Sequence, residues 1–139
     1  MRLVLDTNVV IAALLWKGPP HEVLGSVVEG HARCYSSQAL TDELARALQY
    51  AKFRQRLSEE GVSPQDLVDR YMRLAKLVVA ADIGSTVTGD PDDDHVLACA
   101  LAARADMIVS GDVRLLNLKA YQGMPIVSPA EALARLAQR

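Results

Sequence analysis

Little in this 139-residue chain suggests a disulfide scaffold or a zinc module. It has only two cysteines, Cys34 and Cys99, with no C-x-x-C pair, and three histidines without zinc-like spacing. Both cysteines read as small core residues. Aromatics are equally scarce: Trp16 and Phe53 are the only residues of their types, which speaks against an aromatic-rich binding surface. Basic excess is missing too. Fifteen Lys and Arg against 17 Asp and Glu leave a net charge of −2, so the strongly basic face of a non-specific nucleic-acid binder is not indicated. A nuclease stays open, because bound metal ions can supply local positive charge. No apolar run reaches the ~18–20 residues that a membrane helix needs. The opening MRLVLDTNVVIAALL imitates a signal peptide, but Asp6 and Asn8 interrupt it and no small-residue cleavage pattern follows. A soluble cytoplasmic protein with no membrane partner is the expectation.

What remains is a half-hydrophobic chain able to bury a substantial core as one domain, residues 1–139. Short apolar runs at Arg2–Leu5, Ala32–Ser36, Leu77–Ala81, Met107–Ser110 and Pro125–Ser128 read as buried strands. Helical spacing fills the intervals. One helix continues from Val9 and another spans His21 to Glu29. A third is capped at Ser36 or Ser37 and runs to about Leu48; a short basic one follows around KFRQR. Ser63-Pro64 opens another, Asp92–Arg104 forms the next, and a closing helix starts near Pro129. Strands alternating with helices imply an α/β domain with a central parallel sheet of about five strands. Sites in such sheets form beyond the carboxyl ends of the strands, near a switch in strand order.

Asp6 follows the first strand and Asp112 lies two residues after the fourth, so both project at that edge. On the third helix, Leu40, Leu44, Ala47 and Leu48 make the apolar stripe. Asp42 lies opposite it, and Glu43 sits roughly 85° from its centre, at the border of core and solvent. The stretch DPDDDHVLACALA has four aspartates between Asp90 and Asp94. At about 100° per residue, Asp93 falls roughly 20° from the centre of the Val96, Leu97, Ala100, Leu101 face, Asp94 roughly 90° and Asp92 roughly 110°. Asp93 is thus the inward carboxylate, and Asp90, Asp92 and Asp94 suit capping or the helix dipole. An inward carboxylate is costly unless paired, and no lysine or arginine in the neighbouring motifs offers itself. Four acids at one edge repel. A hard divalent cation with oxygen ligands resolves this, making Asp6, Glu43, Asp93 and Asp112 a candidate cage for Mg²⁺ or Mn²⁺.

Four blocks in order, LVLDTNVVIAAL, SSQALTDELARAL, DPDDDHVLACALAARAD and IVSGDVRLL, resemble the PIN-domain family over nearly the whole chain. The resemblance implies a three-layer α/β/α sandwich and a metal-dependent nuclease, with Asp6, Glu43, Asp93 and Asp112 as its acids. Asn8 matches the polar position after the first Asp, and Ser110 the small hydroxyl residue before the last. Where related sequences often have Asn, this chain has Asp94, which makes Asp94 a candidate extra ligand. The size resembles VapC-type toxins of toxin–antitoxin modules. That implies an endoribonuclease acting on RNA, a cognate antitoxin and a homodimer. Leu57, Leu67 and Tyr71 look like apolar residues left over for the dimer contact. Lys52, Arg54, Arg56 and Arg114 are candidates to grip flanking phosphates, with a solvated helix face as the plain alternative for the first three. Trp16 reads as core or interface packing.

Two rivals remain. A catalytically silent PIN fold would bind RNA or a partner without cutting, but such versions commonly lose acids that this chain keeps. A haloacid-dehalogenase-like Mg²⁺-dependent phosphohydrolase needs an acid two residues after its nucleophilic Asp and a lysine near its later acids. Here Asp6 is followed by Asn8, and no lysine lies near Asp93.

Overall fold

In the computed structural model, which describes residues 1–84 and 87–138, the run Arg2–Leu5 is the central strand β1. From it the chain builds to one side through α1 (Thr7–Leu15), α2 (Pro19–Val28), β2 (Arg33–Ser36) and α3 (Gln38–Ala47). A 3-10 turn (Ala51–Phe53), α4 (Arg54–Glu60), α5 (Pro64–Leu74) and β3 (Ala75–Leu77) complete that half. Then α6 (Pro91–Ala103) carries it across to the far side of β1. There follow β4 (Met107–Val109), α7 (Val113–Leu118), β5 (Ala120–Tyr121), β6 (Met124–Val127) and α8 (Pro129–Ala137). The sheet order is β3-β2-β1-β4-β6-β5, parallel except for the antiparallel β5–β6 pair. Strand order therefore reverses between β1 and β4, and the crevice of such a sheet opens above their carboxyl ends.

Alternation along each strand separates two cores. Leu3, Leu5, Cys34, Met107 and Val109 pack with Val9 and Ile11 of α1, Val23 of α2, Leu44 of α3, Leu67 and Tyr71 of α5 and Ala132 of α8. Val4, Tyr35, Ile108 and Ile126 pack on the other face with Val96, Leu97 and Ala100 of α6 and Leu115 of α7. The result is a three-layer α/β/α sandwich. Both cysteines are buried. Burial pushes the Cys34 thiol up to about 11 and the Cys99 thiol up to about 12, so both stay protonated and inert. Among the described residues no helix is long and apolar enough to cross a membrane.

Several boundaries differ from the sequence reading. The strand expected at Leu77–Ala81 is instead Ala75–Leu77. Among the described residues it is an edge strand, paired to β2 through Cys34↔Ala75, Tyr35↔Lys76 and Ser36↔Leu77. Since β2 ends at Ser36, the chain beyond Val78 has no strand residue of β2 to pair with; Val79 is 92% exposed and Ala81 N–H turns to the Ala98 carbonyl of α6 at 3.2 Å. The first helix starts at Thr7 rather than Val9, because Asp6 caps it. Of the apolar face assigned to α6, Leu101 is exposed, and Cys99 and Ala103 are buried in its place. The antiparallel β5 and the short α7 were not expected. Gln122 and Gly123, both at positive φ, form the two-residue turn between β5 and β6, a conformation that right-twisted hairpins favour. Leu57, Leu67 and Tyr71, set aside for a dimer contact, are consumed by the protomer's own core.

Candidate metal centre

Parallel pairing sets Leu5 beside Val109, so the two chains leave the sheet side by side. Asp6 N–H still donates to the Val109 carbonyl at 2.9 Å, and Ser110 N–H to the Val127 carbonyl at 3.0 Å. This register brings Asp6 and Asp112 onto one edge. Asp6 caps α1, its Oδ1 accepting from Thr7 N–H at 2.8 Å. Its Oδ2 accepts from the Ser110 hydroxyl at 2.8 Å, and the same hydroxyl accepts from Asp112 N–H at 2.9 Å. Ser110, fully buried, thus ties the ends of β1 and β4 together. Asp112 in turn caps α7, accepting from Arg114 N–H at 2.8 Å. Asn8 lies exposed on the first turn of α1.

The other two acids come from helices packed over the edge. Ser37 caps α3, which puts Glu43 on its second turn, half-buried, while Asp42 is exposed and engages Gln38. Asp90 caps α6 with Pro91 at its first position. Asp93, one turn in, is only 4% exposed. Glu43 Oε2, Asp93 Oδ2 and the hydroxyl oxygen of Thr7 are shut off from solvent without a hydrogen bond. Burial, followed by the charges of Asp92 and Asp6, pushes the Glu43 carboxyl up to about 7. Burial, reinforced by Asp112, pushes Asp93 up to about 6, and burial also raises Asp6. Asp112 moves the other way, held down by its hydrogen bond from Arg114. The acids are therefore short of positive charge, and the deepest carry the deficit.

Asp93 and Asp112 draw positive charge from Arg114, which corrects the sequence reading that Asp93 lacks a cationic partner, and Glu43 draws some from Arg46. Arg114 Nε lies 3.3 Å from Asp93 Oδ2, and Nη2 lies 3.1 Å from Asp112 Oδ2 and 2.9 Å from Asp90 Oδ2. Arg114 turns toward the acids, not outward to a phosphate. Read from the sequence, Asp90 serves as a cap or faces the helix dipole and Thr7 has no role; nothing but adjacency to Asp6 marks Thr7.

Other candidates fall outside the cluster. Asp94 accepts from Val87 N–H, Thr88 N–H and the Thr88 hydroxyl at 3.1 to 3.3 Å. It clasps the loop before α6 instead of facing the acids. Arg56 donates from Nε to the Leu15 carbonyl at 2.7 Å, pairs with Glu60 at 2.8 Å and lies over the Trp16 ring. That commits it to joining α4 and α1. Trp16, 43% exposed, also packs against Phe53. Lys52 lies over the Phe53 ring. Neither Lys52 nor the exposed Arg54 pairs with the site acids among the described residues.

Among the described residues, no group of three or more His, Cys, Asp or Glu side chains is arranged to hold a metal ion as it stands. The donor chemistry nevertheless fits a hard divalent cation. All the donors are carboxylate oxygens, and two of them, on Glu43 and Asp93, are buried with no hydrogen bond. Asp6 and Asp112 are held at fixed helix starts.

The profile of the family described as PIN domain matches residues 2–114. Among solved structures, the chain is similar to one in the crystal structure of VapBC2 from Rickettsia felis bound to a DNA fragment from their promoter. The TM-score is 0.61 at 13% identity, covering 92% of this chain and 98% of that one. No curated protein matches.

Proposed function

The chain belongs to the PIN-domain family, and on that premise we propose that it is a divalent-cation-dependent endoribonuclease, the toxin of a type II toxin–antitoxin pair. PIN domains are generally nucleases. The observation that carries the metal-dependent reading is the pair of buried, unsatisfied carboxylate oxygens on Glu43 and Asp93, beside Asp6 and Asp112 at the switch point. A buried carboxylate is retained at a cost unless its charge is met; the Asp93 oxygen has Arg114 Nε at 3.3 Å but no hydrogen bond, and a Mg²⁺ or Mn²⁺ ion would offset the remaining cost.

In this reading Asp6, Glu43, Asp93 and Asp112 hold the cation. When bound, it would activate water and offset charge on the scissile phosphate. Ser110 fixes the Asp6 and Asp112 carboxylates relative to one another, and the starts of α1, α6 and α7 point positive dipole ends at the negative cluster. In this reading no side chain attacks the phosphate, and the two thiols are buried and protonated.

For the antitoxin, the support is an apolar hollow of about 500 Å³ lined by Ala13, Leu14, Leu24, Val28 and Leu74, whose charged residues are Arg70 and Arg73 against a single acid, Glu29. It suits an apolar segment carrying acidic residues. A homodimer would draw on exposed side chains such as Tyr50, since Leu57, Leu67 and Tyr71 are internal. The test is incubation of a mixed RNA pool with wild type, Glu43→Gln and Asp93→Asn, in Mg²⁺, Mn²⁺ or chelator. Cutting by wild type alone, and only with metal, is expected. Intact RNA under every divalent cation would overturn the nuclease reading, and equal cutting in chelator would overturn the metal.

A further inference from the structure

We propose that Arg114 is an internal counter-ion that a divalent cation must displace from Asp93 and Asp112, freeing its guanidinium to bind a phosphate of the incoming strand. This rests on the metal-dependent nuclease reading. One cationic side chain bridges three carboxylates from two different elements, Asp90 and Asp93 on α6 and Asp112 at the start of α7. Its position is that of a cover and not of a core ion pair. The Arg114 side chain is 56% exposed, whereas that of Asp93 beneath it is 5% exposed. Asp93 Oδ2 has no solvent contact and no hydrogen bond; the nearest cationic atom is Arg114 Nε at 3.3 Å. A cation that takes that oxygen takes the place the guanidinium now fills.

Electrostatics makes the two occupants exclusive. A dication on Asp93 and Asp112 would stand within a few ångströms of a guanidinium on the same oxygens, where like charges repel strongly even with solvent nearby. The backbone would not resist the exchange. Arg114 N–H stays anchored to Asp112 Oδ1 at 2.8 Å while the long side chain swings on its own torsions. Once released, its planar fork has the geometry to take two phosphate oxygens together. The same residue would then keep the metal-free acids together and, after metal entry, hold substrate at the mouth of the site. Metal would bind first and nucleic acid second.

The decisive readout is the Arg114 Nε–Hε resonance in ¹H–¹⁵N spectra of the full chain, assigned by its loss in Arg114→Lys. Held between Asp112 Oδ1, to which it donates at 3.5 Å, and Asp93 Oδ2 at 3.3 Å, it should be sharp and displaced in chelator. Saturating Mg²⁺ should move it to the free-arginine position, and a non-cleavable 2′-O-methyl RNA should then shift it again. In parallel, calorimetry should show Arg114→Met binding Mn²⁺ about ten-fold more tightly than wild type, the equivalent of one charge-assisted hydrogen bond no longer surrendered. Methylguanidinium should weaken binding to Arg114→Met again. A resonance unmoved by saturating Mg²⁺, or weaker Mn²⁺ binding by a folded Arg114→Met, would overturn the displacement while leaving the metal site standing. Silence on adding RNA would remove the phosphate step. If neither wild type nor Arg114→Met bound Mn²⁺, the metal reading would fall with it.

Discussion

Replacing Asp93 by Asn should stabilise the metal-free protein at neutral pH, and the structure sets the size of the effect. Asp93 is 4% exposed, and its carboxyl is raised from 3.8 to about 6, by burial first and by Asp112 next, against the opposing pull of Arg114. A folded-state pKa above the unfolded one means that the folded chain binds more protons between those values, so stability falls as pH rises through that window. The penalty is absent below about 4 and complete above about 6. The difference between 3.8 and about 6 is worth about 3 kcal/mol at most. Glu43, moved from 4.5 to about 7, adds a loss of the same sign at slightly higher pH. Asp112 and Asp66 are lowered and act oppositely, costing stability only under more acidic conditions. Metal-free wild type should therefore lose stability as pH rises from about 4 to 8. Asparagine keeps the shape and carries no charge, so Asp93→Asn at pH 8 should gain up to about 3 kcal/mol, roughly 8–10 °C in Tm for a domain of this size. Differential scanning calorimetry with chelator from pH 4.5 to 8.5 measures both. Adding Mn²⁺ at 100 times its Kd should raise wild-type stability by about 2.7 kcal/mol and leave the variant nearly unchanged. A variant less stable than wild type at pH 8, or wild-type stability rising steadily from pH 5.5 to 8, would refute the account of a charge-deficient cage.

Ser110→Ala removes the hydroxyl that bridges Asp6 and Asp112, leaves Asp6 Oδ2 without its donor, and should cost about 2 kcal/mol in urea unfolding. Asp94→Ala should speed amide exchange at Val87 and Thr88, whose N–H groups it accepts, while metal affinity changes far less than in Asp93→Asn. Equal loss of metal affinity would restore Asp94 as a ligand. Asp92→Asn should lower the Glu43 pKa below about 7, because the Asp92 charge is the largest influence on Glu43 after burial; carboxyl ¹³C titration reads it directly. Static light scattering at high micromolar concentration tests the dimer, and a monomer there would remove it.

The features legible in the sequence depend on local periodicity. β1 is a short apolar run ended by Asp6. α5 announces itself by Ser63-Pro64, and the structure adds the reciprocal Asp66 bond that completes a capping box. Asp93 could be turned inward by angle alone because Val96, Leu97 and Ala100 fix the inner face of α6. The missed pieces lack such signals. At six residues, α7 is too short to show a face. The β5–β6 hairpin turns on Gln122-Gly123, a weaker signature than Asn-Gly or Asp-Gly. The apolar run from Leu77 promised a strand, but a strand also needs a neighbour, and β2 stops at Ser36.

The same distinction explains why the positions of the acids could be read from the sequence, while Arg114, read there as a phosphate-binding candidate, could not be paired with them. Each acid is marked by its place in a local element: the end of β1, the border of α3, the inner face of α6, the exit of β4. Arg114 is marked by none of these. Its relation to Asp90 and Asp93 exists only because the chain crosses β1 and lays β4 and α7 beside the start of α6, a consequence of sheet order that no local pattern encodes. Nor were capping and metal holding true alternatives for the aspartates. Asp6 and Asp112 are helix caps and, on the present proposal, ligands. Capping fixes one oxygen of each carboxylate against the helix start and leaves the remainder of the group to face the crevice. A cap at the switch point is thus a carboxylate already oriented, whereas Asp93 and Glu43, which cap none of the described helices, each carry a buried oxygen without a hydrogen bond that a cation would satisfy.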